Sequence, residues 1–183
     1  MNKVILNDIE IRNIIKTLAK KVVDRYKDLT KTALVGIHTN GVYIANRLKE
    51  EIKNISGKEL NIGVVDITFY RDDIGLTDII KFAKDTEINF DINNKNIILV
   101  DDVIYTGRTI RAAMEQILEI GRPKTISVLA LVDRGLRELP IYAEFVGKII
   151  KSSPRQEVKV LLKEDTFTKK KQILKDKIIL CNK

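Results

Sequence analysis

Two aspartates and a short polar loop follow an apolar segment near the middle of the chain. Residues 96–100 (NIILV) lead directly into Asp101 and Asp102, and residues 106–109 (TGRT) come shortly after. Glycine lets a ligand approach the backbone, and threonine hydroxyls and the free N–H groups at a helix start suit a phosphate. Carboxylates beside a phosphate are useful where they hold sugar hydroxyls or neutralise Mg²⁺. These residues therefore predict a ligand with a sugar, a phosphate and a metal-bound diphosphate.

A second polar loop follows the apolar residues 32–37 (TALVGI). It contains residues 39–41 (TNG), whose glycine is compatible with a tight turn. Ligands of open parallel sheets bind beyond the carboxyl ends of the strands, so this loop is expected near Asp101. His38, the single histidine of the chain, fits a loop residue near an anionic ligand better than a general base.

The elements that must position these loops alternate between helical and strand patterns. Apolar residues recur at helical spacing after Asp8, a candidate N-cap, and the last helical pattern ends at Gly121. Strands that alternate with helices imply an α/β fold with a mostly parallel central sheet flanked by helices. The predicted helices are 8–26, 42–53 and 109–120, and the predicted strands are 32–37, 61–70, 96–100, 125–132, 144–147 and 158–162.

No linker, repeat or break in composition divides residues 1–183, and this length fits a single domain. Residues 71–94 are polar and have no clear period, which is uncommon in a compact domain unless the segment is functional or mobile. Residues 164–183 combine a KKK run with a final apolar stretch, and their pattern does not place this tail in the fold. We therefore expect one domain with a long functional loop.

Composition limits the compartment and the class of ligand. The net charge is +8, from 33 Lys and Arg against 25 Asp and Glu, which fits a polyanionic ligand and equally fits an ordinary lysine-rich surface. The sequence has no run of about 18 apolar residues and no apolar signal-peptide region, so no membrane partner is expected. Cys181 is the single cysteine and cannot form an intramolecular disulfide or, with His38, a zinc cage. A cytoplasmic location is expected.

Residues 97–109 (IILVDDVIYTGRT) resemble the signature with which the phosphoribosyltransferase family binds phosphoribosyl pyrophosphate (PRPP). The resemblance implies a type I phosphoribosyltransferase fold, in which a small hood covers the base. It also implies that Asp101 and Asp102 are the catalytic residues, which hold the ribose hydroxyls and bind the cofactor Mg²⁺ directly or through water. The residues implied to bind PRPP or the nucleotide are Thr39, Asn40, Gly41, Arg71, Val103, Ile104, Tyr105, Thr106, Gly107, Arg108 and Thr109.

Two further blocks resemble a narrower group within this family, the bacterial regulators of pyrimidine operons. They are residues 66–73 (DITFYRDD) and 133–141 (DRGLRELPI). The resemblance implies that residues 71–94 form a mobile loop and that the hood comes from residues 133–150. The implied base-hood residues are Val132, Asp133, Arg134 and Arg137, and the implied RNA-binding residues are Lys16, Lys20, Arg25 and Lys148.

Membership of that group would imply two activities and an assembly. As an enzyme, the protein would make UMP and pyrophosphate from uracil and PRPP. As a regulator, it would bind the leader mRNA of pyrimidine-synthesis genes when UMP or UTP is abundant, and so promote transcription termination. The resemblance also implies a homo-oligomer, either a dimer or a larger assembly.

Two alternatives remain open, and one of them follows from a departure from the family pattern. The family usually has arginine where this chain has Asn40, and such a change removes a charge-assisted contact to the diphosphate worth about 1.5–3 kcal/mol. The protein could therefore be an RNA-binding nucleotide sensor with little or no catalysis. An enzyme-only purine phosphoribosyltransferase is the other alternative, and residues 133–141 argue against it.

Overall fold

Strands and helices alternate along the described part of the chain, as the sequence predicts. The structure is a computed structural model, and it describes residues 3–67, 86–165 and 173–182. The strands are β1 (Lys3–Asn7), β2 (Thr32–Ile37), β3 (Asn61–Val65), β4 (Asn96–Ile104), β5 (Thr125–Asp133), β6 (Phe145–Ile149), β7 (Gln156–Leu161) and β8 (Lys177–Asn182). The helices are α1 (Asp8–Arg25), α2 (Asn40–Ser56) and α3 (Arg108–Ile120), with a short 3₁₀-helix at Leu29–Lys31.

The main sheet is parallel and has five strands in the order β3-β2-β4-β5-β6. This sheet confirms the predicted α/β class. Its central strands β2, β4 and β5 are apolar runs, which is typical of strands covered on both faces. After β3 the chain returns across β2 to form β4, so the winding direction reverses between β2 and β4. The carboxyl ends of these two strands therefore border the crevice where such folds bind ligands.

Helices cover both faces of the main sheet, and successive strand residues alternate between them. Leu34 and Ile98 pack with α1 and α2 on one face, whereas Ala33 and Ile97 pack with α3 on the other. All four side chains are fully buried. Burial of one Leu or Ile side chain stabilises a fold by about 1.5–3 kcal/mol, so packing on both faces fixes the strand register that places the loops.

A second, smaller sheet is antiparallel and has the order β1-β8-β7. It pairs the first described strand with residues 177–182, part of the tail that the sequence pattern did not place. Within the predicted hood segment, residues 133–150, Phe145–Ile149 pair with β5 as the edge strand of the main sheet. The pairing of β1 with β8 joins opposite ends of the chain, and local apolar patterns carry no information about such a contact.

Ion pairs connect this smaller sheet to α2. The Arg47 guanidinium donates to Glu164 at 2.8 and 2.6 Å and to Asp176 at 2.5 Å, and these acids lie after β7 and before β8. Burial would raise the pKa of Asp176, but the hydrogen bonds from Arg47 and the Lys163 N–H outweigh it and leave the pKa below its ordinary value. Asp176 therefore stays ionised and ties the smaller sheet to the helix.

The first helix begins at Asp8, but its N-cap is Asn7 rather than the predicted Asp8. The Asn7 side chain accepts a hydrogen bond from the Glu10 N–H at 3.0 Å, and the Glu10 side chain accepts one from the Asn7 N–H at 2.8 Å. This reciprocal capping box satisfies two backbone donors at the helix start. None of the helices in the described ranges is long and apolar enough to cross a membrane.

Candidate active site

The polar residues after β2 reach the carboxyl end of β4 at the switch point of the main sheet, and one side chain joins them. The Asn40 amide donates to Asp102 Oδ2 at 2.7 Å and to the Val160 carbonyl in β7 at 3.3 Å. The helix α2 begins at Asn40, earlier than the predicted residue 42. This close approach requires Gly41, because a Cβ there would overlap the carbonyl of Val100 in β4. The structure thus brings the polar loop after β2 into contact with the acid pair.

The segment from His38 to Asn40 has two features that the sequence pattern does not predict. The peptide bond between His38 and Thr39 is cis, which is rare when the second residue is not proline. The Asn40 Oδ1 atom is buried, and no donor among the described residues reaches it. Asn40 therefore donates to Asp102 and has a buried acceptor atom that no described donor satisfies.

Asp101 and Asp102 occupy the carboxyl end of β4. Asp101 is buried, and its Oδ1 atom accepts a hydrogen bond from the Asp102 N–H at 2.9 Å. Asp102 Oδ1 accepts one from the Val103 N–H at 2.8 Å. Burial raises the pKa of Asp102, while the hydrogen bonds from Asn40 and the Val103 N–H oppose that rise. Because water solvates this carboxylate poorly, a ligand hydroxyl or a cation that approaches it would be stabilised.

The acid pair fits a cation that brings most of its ligands with it. Within the described ranges, no third His, Cys, Asp or Glu joins Asp101 and Asp102 in a metal-binding cluster. Mg²⁺ in phosphate sites is commonly held by one or two carboxylates, with waters and substrate phosphates as its other ligands. The donor set is therefore compatible with Mg²⁺ that arrives with a diphosphate, and it does not form an all-protein metal cage.

The loop between β4 and α3 presents backbone groups at a helix start. Gly107 has φ 95°, a left-handed conformation that favours glycine, and α3 begins at the next residue. Thr106 Oγ1 accepts a hydrogen bond from the Arg108 N–H at 3.3 Å. The Arg108 side chain pairs with Glu138, in the loop after β5, at 2.7 Å. The N–H groups of the first helical turn lack intrahelical partners and suit a phosphate.

Arg137 fastens the loop after β5 to the loop after β4. Its guanidinium donates to Tyr105 O at 2.7 Å, to Ile141 O at 2.8 Å and to Asp133 Oδ2 at 2.6 Å. The ion pair with Asp133 is mostly shielded from water, since the two side chains are 11% and 18% exposed. The predicted hood residues Asp133 and Arg137 therefore bind each other and the protein backbone.

Arg134, another predicted hood residue, is buried between two loops. Its Nε atom donates to Ser152 Oγ at 3.1 Å, and its Nη2 atom donates to the carbonyls of Ser153 and Gln156 at 3.1 and 2.8 Å. The guanidinium also lies 4.1 Å from the centre of the Tyr105 ring. The segment before β7 was not among the predicted site residues, and the sequence signal for it was an arginine directly after an apolar strand.

Two predicted site residues have side chains in the core rather than in the crevice. Ile104 and Val132 are fully buried between the sheet and the helices. The Ile104 carbonyl accepts a hydrogen bond from the Arg134 N–H at 3.2 Å. At these two positions only backbone groups can face a ligand.

Comparisons with known proteins agree with this geometry. Residues 3–165 match the family described as the phosphoribosyl transferase domain. The chain is 47% identical over 163 residues to the bifunctional protein PyrR of Bacillus mycoides (strain KBAB4), which covers 88% of this chain and 91% of that protein. The same identity and coverage relate it to the bifunctional protein PyrR of Bacillus anthracis (strain CDC 684 / NRRL 3495). The chain belongs to the phosphoribosyl transferase family, in its PyrR group.

Solved phosphoribosyltransferases share the fold of this family member. The hypoxanthine phosphoribosyltransferase of Trypanosoma cruzi has a TM-score of 0.71 at 19% identity, over 99% of this chain and 97% of that chain. A hypoxanthine-guanine phosphoribosyltransferase (hpt-2) from Bacillus anthracis str. 'Ames Ancestor' has a TM-score of 0.66 at 21% identity, over 85% and 84%. These likenesses confirm the predicted type I phosphoribosyltransferase fold.

The predicted mobile loop of this phosphoribosyltransferase begins outside the described residues, since residues 68–85, with Arg71, are not described. The residues that flank this gap are fastened to each other. Asp66 N–H donates to Thr86 Oγ1 at 3.2 Å, Thr86 Oγ1 donates to Gln116 Oε1 at 2.9 Å, and Gln116 donates back to the Asp66 carbonyl at 2.5 Å. Gln116 was not predicted as a site residue, although a polar side chain on the apolar face of α3 is a visible signal.

The predicted RNA-binding residues on α1 of this phosphoribosyltransferase do not share one face. Lys16 and Lys20 are exposed and lie about one turn apart, whereas Arg25 lies about 180° from Lys16 around the helix at 100° per residue. Arg25 pairs with Glu144, which precedes β6, at 2.8 Å. The exposed lysines and Arg25 therefore point to different sides of α1.

Lys148, the fourth predicted RNA-binding residue, is exposed on the edge strand β6. The neighbouring Gly147 faces α1, because a Cβ there would lie 2.5 Å from the side chain of Ile14. Side chains alternate between the two faces of a strand, so Lys148 projects away from α1. The structure therefore does not gather the four predicted RNA-binding residues on a single surface.

Proposed function

We propose that this protein is a uracil phosphoribosyltransferase that also binds RNA. The observation that carries the enzymatic part is the 2.7 Å hydrogen bond between Asn40 and Asp102, because it holds the polar residues after β2 against the acid pair at the carboxyl end of β4. The acid pair and the open start of α3 border the same crevice. The substrates are uracil and PRPP, and the products are UMP and pyrophosphate.

Each part of PRPP has a group that can receive it. Backbone N–H groups of residues 106–109 bind the phosphate on the ribose. Asp101 and Asp102 accept hydrogen bonds from the ribose hydroxyls, and the backbone of residues 39–41 faces the diphosphate. Mg²⁺, when bound, neutralises charge on the diphosphate. Asp101 and Asp102 are the residues that would hold it, directly or through water.

The transfer exchanges one bond at the anomeric carbon for another. The bond from this carbon to the diphosphate oxygen breaks, and the oxygen keeps the electron pair. A bond to a uracil nitrogen forms, and that nitrogen loses its proton to the surroundings. Positive charge develops on the sugar as the first bond loosens, and the carboxylates of Asp101 and Asp102 stabilise it electrostatically.

Uracil is expected to lie against the loop after β5, residues 133–137. Arg134 and Arg137 use their donors on Ser152, Tyr105 and other protein groups. We therefore assign these arginines the role of holding the loop, whose backbone groups would recognise the edge of the base. A loop held in one conformation before binding loses less entropy when the base arrives.

The second activity in this proposal is binding of the leader mRNA of pyrimidine-synthesis genes. UMP or UTP in the nucleotide pocket would report that pyrimidines are abundant, and the bound RNA would favour termination of transcription. The relatives named bifunctional protein PyrR support this proposal. A cytoplasmic location and a homo-oligomer, a dimer or a larger assembly, belong to the same proposal.

A nucleotide sensor with little catalysis is the second candidate, and Asn40 favours it. The Asn40 amide already donates to Asp102 and Val160, and it brings no positive charge to the diphosphate. Binding of UMP would tolerate this arrangement better than turnover of PRPP, because pyrophosphate leaves with a developing negative charge.

The deciding experiment follows UMP formation from uracil and PRPP with Mg²⁺, with hypoxanthine in a parallel reaction. Turnover with uracil alone supports the proposed enzyme, and turnover with hypoxanthine alone supports a purine enzyme. A folded protein that binds UMP and the leader RNA but turns over neither base supports the sensor. Absence of leader-RNA binding across a range of salt concentrations would contradict the regulatory part.

A further inference from the structure

A polar groove lies at the amino-terminal edge of the main sheet, opposite the edge that carries the acid pair. Its volume is about 460 Å³, and its walls come from the end of α1 and the starts of β4 and β5. A second groove of about 450 Å³ adjoins it and shares Lys31 and Lys124 with it. We call the two together the edge groove. Its cationic lining residues are Arg25, Lys27, Lys31, Lys95 and Lys124.

The two acids of the edge groove accept hydrogen bonds from residues of their own turns. Asp28 Oδ1 accepts from the backbone and the hydroxyl of Thr30 at 3.1 and 2.5 Å. Asp91 Oδ1 accepts from the backbone and side chain of Asn93 at 2.9 and 2.8 Å. Both carboxylates keep their negative charges, so the lining of the edge groove has five cationic side chains against two acidic ones.

The cations of the edge groove are only partly paired. Within the described residues, the ion pairs of its side chains are Lys31 with Asp28 at 3.9 Å and Arg25 with Glu144 at 2.8 Å. Both pairs are exposed, and such pairs contribute about 0–1 kcal/mol and are easily exchanged for another anion. Lys27 and Lys124 are exposed and form no ion pair within the described residues, so they add further positive charge. The groove thus offers several exchangeable cations along one path.

Neutral donors stand between these cations. Asn94, Asn96 and Thr125 line the floor of the groove, next to the bonded pair of Tyr26 and Ser127 at 2.8 Å. Lysine, arginine, amide and hydroxyl groups together are the usual partners of a nucleic-acid backbone. A single small anion would need a closed pocket with convergent donors, whereas this groove is open and elongated across two cavities.

We infer that the edge groove is part of the RNA-binding surface and holds the phosphate backbone of the bound RNA. This inference rests on the proposed RNA binding and extends it to residues 27, 31, 95 and 124. Arg25 supplies the continuity, because it is a predicted RNA-binding residue and also lines the groove. The path from Arg25 leads into the groove, whereas Lys148 projects from the far face of β6.

The test compares two double variants of equal charge. Lys31→Gln with Lys124→Gln removes the cations that both cavities share. The matched control is Lys3→Gln with Lys175→Gln. It removes one exposed lysine in β1 and one exposed lysine just before β8. The probes are a transcript of a leader that precedes pyrimidine-synthesis genes and an oligo(U) of equal length. Dissociation constants are measured over a series of KCl concentrations, and UMP formation and thermal midpoint are measured for each variant.

The groove variant is expected to bind the transcript roughly tenfold more weakly at low salt than the wild-type protein. The slope of log affinity against log salt should become shallower by about 1.5–2, which corresponds to two lost phosphate contacts. The oligo(U) should lose affinity as well, because backbone contacts carry no sequence information. UMP formation should be unchanged, since the groove lies at the opposite edge of the sheet, and the control variant should keep the wild-type slope.

Three results would overturn the inference. In the first, the wild-type protein binds the transcript and the groove variant has the same salt slope. The groove is then not part of the RNA surface, and the proposed function still stands. In the second, the groove variant has a lower thermal midpoint and an unchanged slope. The two lysines then act by stabilising the carboxyl ends of the helices at this edge. A wild-type protein that binds neither probe removes both the inference and the proposed RNA binding.

Discussion

The guanidinium of Arg134 stacks 4.1 Å above the ring of Tyr105, so the loop after β5 rests on the loop after β4. The same guanidinium bonds to Ser152 and to the carbonyls of Ser153 and Gln156, the latter being the first residue of β7. One buried side chain therefore joins the predicted phosphate loop, the predicted base loop and the start of β7.

Replacement of Arg134 by methionine should damage substrate binding and stability together. We expect the free energy of unfolding to fall by about 2–4 kcal/mol, because three hydrogen bonds and a cation–π contact are lost. The KM for PRPP should rise about tenfold or more as the loop of Tyr105 loosens. Tyr105→Phe, which keeps the ring, is the matched control and should behave like the wild-type protein in urea unfolding and in steady-state kinetics. Wild-type kinetics in Arg134→Met would contradict the role given to the stack.

Replacement of either acid of the pair by asparagine should abolish most turnover while the fold survives. Asp101→Asn and Asp102→Asn each remove the charge that faces the sugar, and we expect UMP formation to fall by about 10²–10³-fold. Asp91→Asn, at the opposite edge of the sheet, is the control and should leave the rate unchanged. Rates within a factor of two of wild type for either acid variant would place the chemistry elsewhere.

Replacement of Asn40 separates the two candidate functions. Asn40→Arg introduces the cation that the family usually has in this loop, and a charge-assisted contact worth about 1.5–3 kcal/mol corresponds to a rise in kcat/KM for PRPP of roughly 10–100-fold. Asn40→Ala, which loses the bonds to Asp102 and Val160, should lower kcat/KM. If Asn40→Arg is less active than the wild-type protein, the asparagine is itself adapted to turnover and the sensor hypothesis loses its support.

The ion pairs of Arg47 predict a pH-dependent stability. Arg47→Met leaves Asp176 buried without its cation, and we expect a loss of about 3 kcal/mol in the free energy of unfolding at neutral pH. The folded-state pKa of Asp176 is lowered in the wild-type protein, so its contribution is present above the unfolded value near 3.9 and is lost as the pH falls through the folded value. In urea unfolding, the difference in free energy of unfolding between the wild-type protein and Arg47→Met should therefore be large at pH 7 and smaller at about pH 3. A difference that does not depend on pH would mean that Arg47 acts through packing alone.

Charge reversal at Arg25 and Lys148 should weaken RNA binding without affecting the enzyme. The Arg25 pair with Glu144 is exposed, since the side chains are 61% and 36% accessible, so its loss should hardly change stability. We expect the dissociation constant for the leader transcript to rise at least tenfold in Arg25→Glu with Lys148→Glu, while UMP formation stays at the wild-type rate. Equal losses of both activities would argue against a separate RNA surface.

Local patterns in the sequence determined the central strands, the helices and the chemistry of the loop after β4. The predicted strand at 32–37 coincides with β2, and the predicted helix at 109–120 differs from α3 by one residue at its start. These predictions succeeded because an apolar strand or an amphipathic helix is specified by neighbours a few residues apart. The identity of Asp101 and Asp102 and their spacing from the glycine loop also belong to one short stretch of chain.

Only the tertiary structure decided which distant groups meet. The bond from Asn40 to Asp102, the pairing of β1 with β8, and the face of β6 that carries Lys148 each depend on strand order and register. Such contacts join residues that are far apart in the chain. The elements that carry these residues are held together mainly by the apolar surfaces that the whole fold buries. No local period encodes which surfaces those are, so the sequence named the reactive groups and the packing of the sheets brought them into one site.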